Sequence, residues 1–339
     1  MTSSRTRALA AVGVAALVAV LSACSDAASP PTEPTQPPAT VESSGVYPVT
    51  LDSPFGSTEL DAQPERVAVV SAVDLDIALA LGIVPVTAPR LGDLPPDPWT
   101  QNALADAEEE VDFYDATDGT DYAAIAAAEP DVILATSGWT LAEDYEPLAA
   151  IAPVVSFRGA DGLAAMTWAD RTTVAAAALG VPEQGAAAIA GVQQRFADAR
   201  AAHPQFAGRS ITYAVVRPDQ ISYVSVAGSD VSFFTDLGFT LPPTATQLDG
   251  TTSALTPQSI GLLDADVLLV AYPFGDQGLV GRAALETDKT FVKIPAVAAG
   301  HYAVVEDDVV PPLANPTPLS QTWVLERLLP VLEGAVGSG

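Results

Sequence analysis

Three arginines follow predicted β-strands and could bind an anionic, oxygen-rich ligand. They are Arg90, Arg158 and Arg217. In an open parallel sheet, ligands bind outside the carboxyl ends of the strands. A guanidinium suits such a place because it is planar, donates several hydrogen bonds and keeps its charge. Each arginine could equally pair with a surface carboxylate, but the three positions together favour a ligand site.

Aromatic side chains form a second candidate group in the loops after predicted strands. These residues are Trp99, Trp139, Tyr272 and Phe274. Flat aromatic faces bury a large area against a bound ring system at low entropic cost. Each Trp could instead fill the core beneath its loop. We assign Trp168 and Trp323 to the core, because both fall on predicted helices.

The sequence lacks the common catalytic and metal-binding motifs. Two His and one Cys are too few for a zinc site built from these residues, and neither Gly-x-Ser-x-Gly nor Gly-x-Gly-x-x-Gly occurs. Against 42 Asp and Glu stand 14 Lys and Arg, and the formal net charge of -28 repels nucleic-acid backbones. An extracellular enzyme with paired carboxylates needs no motif and stays open as an alternative. We therefore expect a binding protein without a cofactor or resident metal.

Residues 1–23 have the layout of a secretory signal peptide. Arg5 and Arg7 precede an apolar run at residues 8–21 that is too short for a membrane-spanning helix. Cys24, the only Cys, closes the sequence Leu-Ser-Ala-Cys, which is typical of a bacterial lipobox. Residues 24–45 are rich in Pro, Ser and Thr and predict a disordered stalk. We expect a lipid-anchored protein on the extracytoplasmic face of the cell membrane.

Alternating strands and helices predict an α/β fold with two similar halves. The first half has predicted strands at 66–70, 84–87 and 131–134, helices at 74–81 and 121–128, and a loop-rich stretch at 92–117. The second half has predicted strands at 210–216 and 266–270 and helices at 230–237 and 257–263. Such alternation with short connections favours parallel sheets covered on both faces.

An Ala-rich helix is predicted between the two halves. Residues 162–179 contain no helix breaker, and Gly180 and Pro182 follow. At 1.5 Å per residue this helix would span roughly 25 Å, enough to join two lobes. We therefore place an N-terminal lobe at 46–161, a linking helix at 162–182 and a C-terminal lobe at 183–339.

Eight motifs closely resemble the iron-siderophore substrate-binding proteins of ABC importers. In the first half they are PERVAVV at 64–70, DIALALG at 76–82, AEPDVIL at 128–134 and YEPLAAIAP at 145–153. In the second half they are LGF at 237–239, DADVL at 264–268, IPAVAAG at 294–300 and NPTPLS at 315–320. The resemblance implies two Rossmann-like lobes with parallel sheets joined by one long α-helix. It also implies little hinge motion and delivery of a ferric siderophore from a cleft to an ABC-type permease.

The same resemblance implies roles for individual residues. The arginines and aromatic residues would line the cleft, and the iron would need no protein ligand because the chelate fills its coordination shell. Members of this family dock on the permease through one carboxylate per lobe. Asp76 stands where the family has a Glu, and Asp236 or Asp230 would serve on the second lobe. A haem or cobalamin carrier is the alternative, with Tyr272 as a possible haem ligand. We expect a monomer that contacts the membrane only through its lipid anchor.

Overall fold

Two five-stranded sheets, one in each lobe, form the frame of the protein. A computed structural model describes residues 47–107, 109–159, 162–163, 166–224, 232–242, 244–245 and 254–337. The predicted signal peptide, Cys24 and the predicted stalk lie outside these ranges. Within them, no helix combines the length and the apolar character needed to cross a membrane.

The first lobe begins with an antiparallel hairpin and continues as a parallel sheet. The hairpin pairs β1 (Val49–Ser53) with β2 (Gly56–Leu60). The sheet strands are β3 (Val67–Val69), β4 (Thr87–Arg90), β5 (Asp112–Asp115), β6 (Val132–Ala135) and β7 (Val154–Ser156). Their order is β5-β4-β3-β6-β7, and all neighbours are parallel. The central strands are short apolar runs buried on both faces, as expected where helices cover a parallel sheet.

Four helices belong to this sheet: α1 (Ala72–Ala80), α2 (Pro98–Asp106), α3 (Tyr122–Ala127) and α4 (Leu141–Ala149). The start of α1 is set by Ser71, whose side chain accepts a hydrogen bond from the Asp74 N–H. Helix α2 and strand β5 lie in the stretch predicted to be loop-rich. Pro98 explains the miss, because a proline in the first helical turn resembles a loop signal although it suits a helix start.

Two helices follow the first sheet, and the second one lies close to the position predicted for it, 184–202. Helix α5 (Trp168–Ala178) begins later than predicted because Thr167 and Asp170 form a reciprocal capping box at its start. Most of its apolar residues pack in the first lobe. Helix α6 (Pro182–Ala202) is the long one, and its 21 residues span about 30 Å. It buries Val192 and Phe196 in the second lobe. The predicted bounds of the linking helix, 162–182, are therefore wrong, since the long helix begins where the predicted one ends.

The second lobe has a mixed sheet. Its strands are β8 (Ile211–Val216), β9 (Ile221–Val224), β10 (Ala254–Leu255), β11 (Val267–Ala271) and β12 (Tyr302–Val305), in the order β10-β9-β8-β11-β12. Strands β8, β11 and β12 run parallel to one another, whereas β9 pairs antiparallel with both of its neighbours, β8 and β10. The reason is local: the Arg217 N–H donates to Gln220 O at 2.8 Å, and so tight a turn can only join antiparallel strands. The predicted α/β class with two lobes is nevertheless confirmed.

In the described part of the second lobe, the helices after β9 are α7 (Ser232–Asp236), α8 (Arg282–Glu286), α9 (Pro295–Ala299), α10 (Val310–Ala314) and α11 (Pro318–Val336). The helix predicted at 257–263 is only a 3-10 turn, Ile260–Leu263. Helix α11 buries its apolar stripe against α6 and the second sheet, and it also contacts α1 and α2 of the first lobe. This last contact joins the lobes a second time, so the chain connection through α5 and α6 is not their sole link.

Candidate ligand-binding site

The carboxyl ends of the parallel strands carry most of the predicted site residues. In the first lobe, Arg90 ends β4, Trp139 follows β6 and Arg158 follows β7. In the second lobe, Arg217 follows β8 and Phe274 follows β11. We name these places the lobe-one edge, formed by the residues at the ends of β4, β6 and β7, and the lobe-two edge, formed by those at the ends of β8 and β11. Ligands of open α/β sheets bind at such edges.

Both edges expose large apolar side chains. On the lobe-one edge, Trp139 is 76% exposed, and Leu91 and Leu94 are 59% and 63% exposed. On the lobe-two edge, Phe274 and Leu279 are 39% and 37% exposed. Among the described residues, the other large apolar side chains this exposed are Leu241 and Val292. Exposed apolar side chains are typical of binding sites, and five of the seven such side chains among the described residues lie at the two edges.

Leu279 reaches the lobe-two edge through a contact that the sequence does not show. Its N–H donates to Arg217 O at 2.7 Å. A Cβ on Gly278 would come within 3.1 Å of Val216 Cγ1, so this segment lies close against the end of β8. We did not predict Leu91, Leu94 or Leu279 as site residues. The signal that could have found them is a Leu in a loop rich in Gly and Pro, where no helix or strand face buries it.

Arg90 lies on the sheet face beside β5. It is half-buried, and its Cζ atom lies 5.7 Å from the ring centroid of Phe113, within cation–π range. The pKa of Asp115 is lowered, first by hydrogen bonds from Thr117 and Gly92 and further by the charge of Arg90. Arg90 is thus partly engaged by its own sheet.

Arg158 has a buried hydrogen-bond donor without an acceptor among the described residues. Its Nε atom is buried and has no hydrogen-bond partner among the described residues. Burial lowers the pKa of the guanidinium, while the charge of Asp52 acts in the opposite direction. The Arg158 N–H donates to Met166 Sδ at 2.9 Å, which holds the loop after β7. A buried donor without an acceptor is costly, so an acceptor on a ligand would stabilise this side chain.

Arg217 is exposed and anchored at one atom. Its Nε donates to Ser222 Oγ at 2.8 Å across the turn between β8 and β9. Exposed carboxylates stand near the same strand ends, and they include Asp115, Asp219 and Asp276. The edges therefore mix both signs of charge, and their recognition chemistry combines directed donors with apolar faces.

Tyr272 was predicted to contact a ligand, and this prediction is wrong. The side chain is 8% exposed, and it packs with Leu268 and Val270 on one face of β11. Its hydroxyl lies 3.3 Å from the Tyr302 hydroxyl, which donates to Glu286 Oε1 at 3.1 Å. Burial raises the pKa of Tyr272. A residue two positions after Val270 in an extended chain points to the same side, which is here the core. The same burial removes Tyr272 as a ligand for haem.

Trp99 was also predicted to contact a ligand, and it is buried. It lies in the first turn of α2 and is 6% exposed. Its ring packs 5.0 Å from that of Trp323 on α11, at 59°. The helix missed in the sequence turns this side chain inward, toward the contact between the lobes. The core assignment of Trp168 agrees with the structure, whereas Trp323 is half-buried and packs against the edge of the same core.

Asp76 was predicted to be an exposed docking carboxylate, and this prediction is wrong. It is 4% exposed and accepts hydrogen bonds from Trp99, Thr100 and Thr317. Burial raises its pKa to about 6, although these hydrogen bonds oppose the shift. Asp236, at the end of α7, is exposed and stays a prediction for docking. The alternative Asp230 lies outside the described residues.

The part of the chain that the structure describes contains no metal site built from protein side chains. There, no three His, Cys, Asp or Glu side chains come together in a way that could hold an ion. The edges can therefore bind a ligand by packing and hydrogen bonding, whereas a metal held by the protein itself has no ligand set in these ranges.

Comparisons with known proteins agree with this architecture. The sequence profile of a family described as periplasmic binding protein matches residues 67–309. No curated protein matches the chain. Among solved structures, PiaA from Streptococcus pneumoniae TIGR4, in complex with ferrichrome, is 29% identical with a TM-score of 0.71; the match covers 85% of this chain and 98% of PiaA.

Two further structures are similar. A periplasmic solute binding protein from Mycobacterium smegmatis is 25% identical with a TM-score of 0.71, and the match covers 85% of this chain and 98% of that one. SirA from Staphylococcus aureus, complexed with staphyloferrin B, is 20% identical with a TM-score of 0.67, covering 83% and 97%. The SirA match supports the fold alone.

Proposed function

We propose, because the chain belongs to the periplasmic binding protein family, that it captures a ferric siderophore between its lobes and delivers it to an ABC-type permease for iron uptake. The observation that carries the proposal is the exposure of apolar side chains beside arginines at the ends of strands in both lobes. PiaA, which is 29% identical, was solved with ferrichrome and supports the same class of ligand.

Recognition of the chelate would combine stacking with directed hydrogen bonds. Trp139 and Phe274 offer faces to the apolar parts of a siderophore. Arg158 and Arg217 would donate to its oxygens, and Arg158 would gain most because its Nε meets no acceptor in the part of the chain that the structure describes. The iron is cargo: it stays within the oxygen ligands of the chelate, so the protein recognises the outer surface of the complex and carries out no reaction.

Delivery would depend on the predicted lipid anchor. Acylation of Cys24 and the stalk at 24–45 would hold the folded lobes near the permease and raise their effective concentration there. With Asp76 buried, Asp236 is the predicted docking carboxylate that is exposed in the structure. Replacing Cys24 by Ala should release the protein from membranes into the medium; unchanged membrane retention would disprove the anchor while leaving ligand capture intact.

Fluorescence titration of the full-length chain tests ligand capture. A panel of a neutral ferric hydroxamate, an anionic ferric catecholate and ferric citrate should include one chelate that quenches Trp emission at submicromolar concentration. The chelate should be recovered chemically unchanged. Trp139→Phe should remove most of the quenching, whereas the matched control Trp168→Phe, in the core, should retain it. If no chelate binds while haemin shifts its Soret band, the carrier is a haem protein.

A further inference from the structure

A buried carboxylate links the two lobes. The Asp76 Oδ2 atom on α1 lies 2.6 Å from Trp99 Nε1 and 3.0 Å from Thr317 Oγ1, and Oδ1 lies 2.5 Å from Thr100 Oγ1. Trp99 and Thr100 belong to α2 in the first lobe. Thr317 is 241 positions from Asp76 and caps α11, whose body packs in the second lobe. We name the set Asp76, Trp99, Thr100, Thr317 and Trp323 the lobe junction.

The directions of two of these hydrogen bonds are fixed by chemistry. An indole nitrogen can only donate, so Trp99 must give its proton to Asp76. Thr317 Oγ1 already accepts from the Ser320 N–H at 3.0 Å, which leaves its own proton for Asp76. Asp76 Oδ2 therefore receives one donor from each lobe. The Thr100 hydroxyl can change from donor to acceptor, because Asp76 is its one hydrogen-bond partner in the described part of the chain.

Apolar packing closes the lobe junction against water. The ring of Trp323 on α11 packs against that of Trp99 at a tilt of 59°, and Asp76 itself is almost fully buried. Close by, Arg171 Nη2 on α5 lies 3.5 Å from Pro316 O, immediately before the cap of α11. Hydrogen bonds that exclude water are stronger and more costly to break than exposed ones. The first turn of α11 is therefore held at a defined place on the first lobe.

We propose that Asp76 is a positioning residue, which holds the first turn of α11 on α1 and α2 and thereby sets the separation between the lobe-one edge and the lobe-two edge. Helix α11 packs against β11 and β12, whereas α1 packs against β3 and β4. A shift of α11 relative to α1 must then carry one sheet relative to the other. This inference concerns the arrangement of the lobes and does not depend on which ligand binds.

Distance measurements between spin labels test the proposal directly. Labels would be attached at Ala126→Cys on α3 and Ala283→Cys on α8, both exposed, in the full-length chain with Cys24→Ser. Pulsed electron paramagnetic resonance then reports the distribution of distances between the lobes. The variants to compare are Thr317→Val, Thr317→Ser, Ser320→Ala and Asp76→Asn.

The variants compare loss of the inter-lobe hydrogen bond with loss of one half of the capping box. Thr317→Val removes both the donor to Asp76 and the acceptor of the Ser320 N–H, and it should add a population at longer distances. Thr317→Ser keeps the hydroxyl and should keep the wild-type distribution. Ser320→Ala damages the capping box, because Ser320 Oγ accepts from the Thr317 N–H, but it leaves the bond to Asp76 intact. It should therefore keep the wild-type distribution.

Asp76→Asn provides the second test. The amide oxygen can accept from Trp99 and Thr317, and the amide NH2 can donate to Thr100 once that hydroxyl reverses. This variant should also keep the wild-type distribution, which shows that geometry rather than charge positions the lobes. An unchanged distribution in Thr317→Val, or an equal broadening in Ser320→Ala, would overturn the proposal.

Discussion

The lobe junction and the lobe-one edge use the same residue types in opposite ways. Trp99 in the junction is 6% exposed and donates its indole proton to Asp76, whereas Trp139 at the edge is 76% exposed. Asp76 meets three donors, whereas the buried Nε of Arg158 meets no acceptor in the described residues. A satisfied buried group holds one arrangement, and an unsatisfied one leaves a place for a ligand. Asp76 therefore has the partners of a structural group, whereas Arg158 has a buried donor that a ligand can satisfy.

Removing the junction carboxylate should have the largest effect. Asp76→Ala leaves Trp99 Nε1 buried without an acceptor and deprives Thr317 of its partner across the lobes. We expect the free energy of unfolding to fall by about 3 kcal/mol, measured by urea denaturation. The matched control Asp236→Ala, at an exposed carboxylate, should change it by less than about 0.5 kcal/mol. An equal fall in unfolding free energy in Asp76→Ala and Asp236→Ala would show that the buried carboxylate stabilises the protein no more than an exposed one.

The pH dependence of stability should carry the signature of Asp76. Its pKa is raised from 3.8 in the unfolded chain to about 6 in the folded one, chiefly by burial, with a contribution from the charge of Asp97. The folded state thus binds the proton more tightly, so the contribution is complete below pH 3.8 and is lost as the pH rises through 6. Its size is on the order of 3 kcal/mol.

Asp76→Asn isolates this contribution from those of other titrating groups. The difference in unfolding free energy between wild type and Asp76→Asn should fall as the pH rises toward 6 and stay constant at higher pH. A difference that is flat across this range would show that Asp76 is more solvated than its burial indicates.

At the lobe-one edge, the largest effect on affinity should come from Arg158. Its Nε has no hydrogen-bond partner among the described residues, so Arg158→Ala should weaken chelate binding by about 1.5 to 3 kcal/mol, or roughly 10- to 150-fold. Unfolding free energy should change little by comparison. Arg195→Ala, on the exposed side of α6 and away from both edges, is the matched control. If Arg158→Ala binds the chelate with unaltered affinity, Arg158 does not contact the ligand.

Trp139 should contribute less to affinity than Arg158. An aromatic contact adds about 0.5 to 1.5 kcal/mol, so Trp139→Ala should weaken binding by several-fold and abolish most of the fluorescence quenching. The corresponding change in the junction, Trp99→Phe, should lower stability and leave quenching in place. Loss of quenching in Trp99→Phe, with quenching kept in Trp139→Ala, would show that the ligand lies near Trp99 and not near Trp139.

Arg217 should show the smallest effect, and that effect should depend on salt. The side chain is exposed, so its attraction to an anionic chelate is screened. Arg217→Ala should reduce the preference for anionic over neutral chelates at low ionic strength, and wild type and variant should converge as salt rises. A loss that persists at high salt would instead indicate a direct, desolvated hydrogen bond.

Local patterns in the sequence predicted the frame of the protein correctly. The buried strand at Val132–Ala135 and the helix that ends just before Gly82 were both found, because apolar runs and helix stops act over a few residues. Strand β4 was placed at 84–87 and lies at Thr87–Arg90, so Arg90 ends the strand instead of following it. Helix α2 was missed because its proline-rich start resembled a loop.

The sequence by itself determined which residues come after which strands, and therefore placed Arg158, Arg217, Trp139 and Phe274 at the sheet edges. The tertiary structure alone decided that Asp76, Trp99 and Tyr272 turn inward. Burial depends on which distant elements pack on a residue, and the partners that bury Asp76 include Thr317, 241 positions away. A spacing pattern of a few residues carries no information over that distance, so exposure had to come from the packing of α11 against α1 and α2.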